Sequence, residues 1–290
     1  MGQQRPVVTQ YMFNGLALNP AYAGSLNYFS ATALYRKQWV NMPGAPEIST
    51  FSAHSNIKDK NIGLGIMAAQ DKVGVHEDVS IYGSYAFRIR MRKGVFAMGL
   101  QAGFNNLTSR FSRLNLRDPT DPELNYDVNQ FKMNFGAGVY YNTETFYAGF
   151  SVPYMLKARK LKDLEYIRET IESRNYYLTA GKVLDVSRNI KIKPSVLLRF
   201  EDGMPVAYDI NCNLFLDELL NLGASYREGD SFSTLFEVQL TDFIRIGYAY
   251  DWIASDIRNY SSGTHEFMVN YRLNLYAPRK QRMCPGPMYF

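Results

Sequence analysis

The chain has 290 residues and a formal net charge of +5, with 46% hydrophobic and 14% aromatic residues, the latter led by 22 Tyr and 18 Phe. It holds no run of about 18 apolar residues, which excludes a transmembrane helix, and its basic residues are scattered without a recognition helix, which argues against nucleic acid as a partner. A mean hydropathy of −0.27 leaves a membrane barrel open, because such a barrel faces lipid with only every second residue.

The opening stretch MGQQRPVV lacks the charged and apolar regions of an export signal, so Met1 and Gly2 are expected to stand where a signal has been removed. Residues 1–25 are read as an N-terminal periplasmic or plug segment. In it Pro20 holds Asn19 extended and bars a continuing helix, and Gly24 permits a tight turn into the first strand. A packed hatch in the lumen and a segment that merely starts the barrel remain the two alternatives.

From residue 26 the sequence alternates in steps of two. Strands are expected over 26–39, 48–58, 62–71, 78–91, 94–106, 130–142, 145–156, 175–184, 189–201, 205–216, 219–228, 231–240, 243–252 and 264–276. The fourth is the clearest: Val79, Ile81, Tyr85, Phe87, Ile89 and Met91 share one face, and Ser80, Tyr82, Ser84, Arg88, Arg90 and Arg92 share the other. Strands this long suit a tilted bilayer crossing of about 9–11 residues. The fold class is therefore all-β: a transmembrane antiparallel β-barrel of about 14 strands over residues 26–276, with a periplasmic tail at 277–290. Pro153 and Pro194 fall inside expected strands and mark kinks or edges, since each removes a ladder donor.

Alternate connections are tight, at 58–61, 92–94, 142–144, 185–188, 217–218 and 241–242. Three of the others are long, at 107–129, 157–174 and 253–263. This asymmetry puts the long loops outside the cell and both termini in the periplasm. In the loop 157–174, Leu161, Leu164, Ile167 and Ile171 have helical spacing. Asp118, Asp121, Glu123 and Asp127 offer oxygen ligands for calcium, but without EF-hand spacing no metal site is assigned.

No catalytic or cofactor site is expected. His54, His76 and His265 lack metal-ligand spacing and are read as surface histidines near strand ends. Ser52 and His54 share a face, as in outer-membrane phospholipases, yet no nucleophile elbow or phosphate loop accompanies them. Cys212 alternates with Ile210 and Leu214 and should face lipid, whereas Cys284 lies in the tail, so no disulfide is expected. The inward positions carry Arg88, Arg90, Lys132, Lys191, Lys193, Arg199, Arg245 and Arg272, opposed by Asp209, Glu237, Asp251 and Glu266. Such a lumen is either an anion-attracting pore or, the favoured reading, a salt-bridged filling.

Ahead of the first strand stands QYMFNGLALNPAYAGS, residues 10–25. Gln10, Tyr11, Phe13, Asn14, Leu18, Asn19, Pro20, Ala21, Tyr22, Ala23 and Gly24, followed by Arg36, Gln38 and Trp39 in an aromatic-rich strand, resemble the opening of the PorP/SprF family of outer-membrane proteins. That family is associated with type IX secretion and gliding motility in Bacteroidota. The Asn-Pro-Ala element also resembles FadL-type barrels, which implies a plug in the lumen. The resemblance implies a non-enzymatic component embedded in outer-membrane lipid. Its partners would be the type IX translocon, a secreted adhesin or periplasmic ring proteins. The alternative is a pore or transporter for small anionic or hydrophobic molecules.

Overall fold

Side chains that alternate between apolar and polar give each extended segment two unlike faces, and a sheet closed on itself separates them into a lipid face and a lumen face. A computed structural model of the chain describes residues 8–58, 60–113, 127–156, 174–201, 203–217 and 219–275. The tail from 277 with Cys284, the candidate loop helix at 157–173, and Asp118, Asp121 and Glu123 lie outside the described residues.

The strands are β1 (Phe29–Lys37), β2 (Glu47–Asn56), β3 (Ile62–Val73), β4 (His76–Met91), β5 (Gly94–Ser109), β6 (Val128–Asn142), β7 (Phe146–Val152), β8 (Asn175–Lys182), β9 (Leu184–Asp185), β10 (Ile190–Glu201), β11 (Ala207–Leu216), β12 (Leu220–Arg227), β13 (Ser231–Gln239), β14 (Ile244–Ile253) and β15 (Thr264–Leu273). Each pairs antiparallel with its neighbours, and β15 pairs with β1 to close the ring. The segments β8 and β9 lie against β10 in one register, Gly181 opposite Ser195 and Leu184 opposite Ile192. They are one stave interrupted opposite Pro194, whose nitrogen has no hydrogen to donate. The barrel thus has 14 staves.

The other proline acts more strongly. Strand β7 stops at Val152, short of the expected residue 156, because Pro153 leaves the sheet: its carbonyl accepts a hydrogen bond from the Gln101 amide at 2.8 Å. Consequently β6 pairs with β7 only over residues 137–142, and residues 128–136 have no strand on that side among the described residues. Asn134 covers part of this edge. Its Oδ1 accepts from the amides of Phe135 (2.8 Å), Met155 (3.0 Å) and Leu156 (3.0 Å), and its Nδ2 donates to the Leu156 carbonyl at 3.2 Å.

Outward positions are apolar and exposed, among them Phe51, Ile66, Tyr85, Phe87, Leu100, Met133, Phe135, Ile210 and Phe236. Cys212 is exposed among them. The lumen holds the packed core. Leu34, Ile48, Leu197, Leu235 and Met268 project inward onto Tyr11, Met12, Phe13 and Leu18 of the N-terminal segment, and Tyr140, Tyr147, Ala86 and Ala97 pack with Leu16, Ala21 and Tyr22.

Candidate functional site: the plugged lumen

Residues 8–25 pass lengthwise through the barrel as three 3-10 turns, Tyr11–Phe13, Gly15–Ala17 and Pro20–Tyr22. Their local chemistry explains the shape. Pro20 occupies the first turn position, where its missing N–H costs nothing, and the Asn19 side chain accepts from the Ala21 amide at 2.9 Å as an N-cap. Gly24 adopts φ 68°, a left-handed conformation natural to glycine, and turns the chain toward β1. The wall is notched to receive this backbone. A Cβ on Gly63 would strike the Ala23 carbonyl, one on Gly99 the backbone of Ala21, and one on Gly138 the Asn19 side chain.

Hydrogen bonds then stitch the segment to the wall. The Asn19 Nδ2 donates to the Val139 carbonyl at 2.9 Å, Ser151 Oγ donates to the Leu18 carbonyl at 2.6 Å, and Ser52 Oγ donates to Asn14 Oδ1 at 2.8 Å. Asn211 donates to the Tyr11 hydroxyl. The amides of Thr9 and Gln10 both donate to the Glu266 carboxylate, at 2.8 and 2.7 Å. The eight motif residues Gln10, Tyr11, Phe13, Asn14, Asn19, Pro20, Ala21 and Gly24 are all buried.

Direction is the surprise. Glu266, Asp251 and Arg36 stand near the strand ends that lead into the long connections, whereas Gly24 lies against Gly63 and Asn56 beside the tight β2–β3 turn. The described start of the chain is therefore at the long-connection end, opposite to the end expected for it. There the amides of Thr9 and Gln10 find their acceptor, the Glu266 carboxylate.

The inward charges include three ion-paired groups and two cations set over rings. Arg36 Nη2 contacts Asp251 at 2.7 Å and its Nη1 contacts Glu266 at 2.9 Å. It also donates to Thr9 Oγ1 at 2.7 Å, and that hydroxyl donates to Asp251 at 2.9 Å. Asp209 is held between Arg199 (3.1 Å) and Arg227 (3.0 Å). Glu237 faces Arg245 at 3.5 Å and accepts from Asn221 at 3.2 Å. Lys193 is buried with its ammonium 5.6 Å from the Phe13 ring centre, a cation-π arrangement. Arg272 lies over Tyr28 at 5.9 Å.

Three expected lumen charges sit outside this packing. Lys191 contacts the exposed Asp185 at 3.8 Å, Lys132 is half-buried, and Arg90 is exposed. Arg227 was missed by the sequence reading, although it shares the inward face of Asn221 and Ser225, opposite Leu222 and Tyr226. The histidine expectation is corrected at one position. His54 is buried at 7% exposure, accepting from the Gly24 amide at 3.3 Å and meeting the Tyr22 ring edge-on at 5.2 Å. It and Ser52 lie on the lumen face, not on the lipid-facing wall.

A solved structure, the outer-membrane protein Omp33 of Acinetobacter baumannii, is similar over 84% of this chain and 97% of that chain, with 9% identity and a TM-score of 0.52. A FadL homologue of Pseudomonas aeruginosa is similar over 93% of this chain and 95% of that chain, with 12% identity and a TM-score of 0.46. The monoaromatic hydrocarbon channel CymD is similar over 94% of both chains, with 10% identity and a TM-score of 0.48. No curated protein matches the sequence significantly. A closed barrel with an apolar outer belt is the form of a protein of the bacterial outer membrane. The model of type IX secretion system membrane proteins PorP/SprF matches residues 1–271, so the chain belongs to that family.

Proposed function

We propose that this protein is a non-enzymatic adaptor of the type IX secretion and gliding apparatus. Its rims bind the C-terminal domain of a secreted surface adhesin, the translocon, or the periplasmic machinery. The observation that carries this reading is the occupied lumen. A conduit needs a continuous lined path, whereas here the N-terminal segment is stitched to opposite walls by Asn19, Thr9 and Gln10. A filled barrel acts through its rims and outer wall.

A transporter for small hydrophobic molecules is the second reading, supported by the short β7, which leaves an edge of β6 in the wall. Two measurements separate the readings. Extraction in mild detergent is expected to retain a translocon component or an adhesin, and the purified barrel in planar bilayers is expected to stay closed. Stable open channels from a barrel that purifies without companions would overturn the adaptor.

A further inference from the structure

Arg88 projects inward from β4 near the tight-turn end and is 9% exposed. Its Nη2 reaches the Ser25 carbonyl at a long 3.5 Å, and its Nη1 is buried without any hydrogen-bond partner. Among the described residues its electrostatic neighbours are His54, Tyr22, Tyr140 and Arg90, and it makes no ion pair with a carboxylate there. A buried cation left without a counter-charge is costly, and every other deeply buried arginine here has a carboxylate, an amide or a ring against it. The hydroxyls of Tyr22 and Ser25 beside Arg88 lie close to one another, are buried, and make no well-formed hydrogen bond. Arg272 also lies within electrostatic reach of the Tyr22 hydroxyl.

A guanidinium with adjacent hydroxyl donors is the donor set that recognises an oxyanion. An approach is in place as well: Arg90, on the same side of β4 two residues nearer the rim, is exposed and extends the positive charge outward. We infer that Arg88, with the hydroxyls of Tyr22 and Ser25, forms a socket for a small oxyanion, a phosphate or carboxylate group, entering from the tight-turn mouth. The anion would neutralise Arg88 and tie the plug, through Tyr22 and Ser25, to β4. This site is independent of which partner the rims engage.

The test is thermal unfolding of the full chain in detergent, titrated with inorganic phosphate or with acetate against sodium chloride at matched ionic strength. A saturable rise with either oxyanion, absent with chloride, is expected, and the anion acting at lower concentration identifies the class. Arg88→Gln should abolish that response, and Tyr22→Phe should weaken apparent affinity about tenfold. In oxyanion-free buffer Arg88→Gln should unfold no earlier than the parent, because it removes an uncompensated charge. An identical response to all three salts would overturn the site. So would an Arg88→Gln variant that is destabilised without oxyanion, since its charge would then be satisfied within the chain.

Discussion

Arg36 of β1 and Glu266 of β15 face each other across the strand pair that closes the ring, Nη1 to Oε2 at 2.9 Å, both buried. Glu266 at the same time accepts the amides of Thr9 and Gln10. One carboxylate therefore holds both the barrel seam and the plug. Replacing Arg36 with Met leaves Glu266 and Asp251 buried without their cation, and an expected loss of about 3–5 kcal/mol is measurable by denaturant unfolding in micelles. Lys37→Met breaks the exposed 2.9 Å pair with Glu47 and should leave stability nearly unchanged, because solvent screens that pair. Equal losses for the two variants would refute the distinction.

The glycine notches predict where the plug can be evicted. Gly99→Val places a side chain against the backbone of Ala21, with an overpacking cost of about 1–3 kcal/mol. Channel openings in planar bilayers should be more frequent than for the parent. A silent Gly99→Val barrel of unchanged stability would mean that this contact does not seat the plug.

Threading of the segment predicts exposure. An epitope inserted ahead of Val8 should bind antibody on intact cells, because Thr9 and Gln10 sit at the long-connection end. Binding only after the outer membrane is opened would place that end in the periplasm.

Asn134 closes part of an exposed strand edge through three accepted amide bonds. Asn134→Ala should cost about 1–3 kcal/mol and accelerate hydrogen exchange at the amides of Phe135, Met155 and Leu156. Unchanged protection at all three would show that other groups cap the edge.

Cys212 faces lipid between Ile210 and Leu214. In native membranes an apolar maleimide should label it, and a charged impermeant maleimide should not. Rapid labelling by the charged reagent would place this part of β11 in water.

The alternation made the strands and their two faces legible, because period two separates lipid from lumen regardless of what fills the lumen. It also carried Arg227, whose inward parity with Ser225 was a readable signal left unused. What alternation lacks is depth. Arg88 and Arg90 share a face, yet one is buried under Tyr22 and the other is exposed at the rim, because the plug reaches only the first. Nor did the sequence reveal which way the plug runs. Its short 3-10 turns have no long periodicity, and the pairing of the Thr9 and Gln10 amides with Glu266 spans nearly the whole chain. His54 was misplaced for the same reason: its burial comes from Tyr22 and Gly24, thirty or so residues away in sequence and visible only when the plug is seated.

Because Glu266 belongs to β15, which closes the ring onto β1, the amides of Thr9 and Gln10 can find their acceptor only when β15 is present and the ring is ready to join. Seating the first residues and zipping the last seam are thus one cooperative step of assembly. An intermediate lacking β15 would expose the apolar side chains of Tyr11, Met12 and Phe13 in an unclosed sheet. Such a species would expose both unpaired strand edges and apolar surface, the two features that make a folding intermediate prone to aggregate.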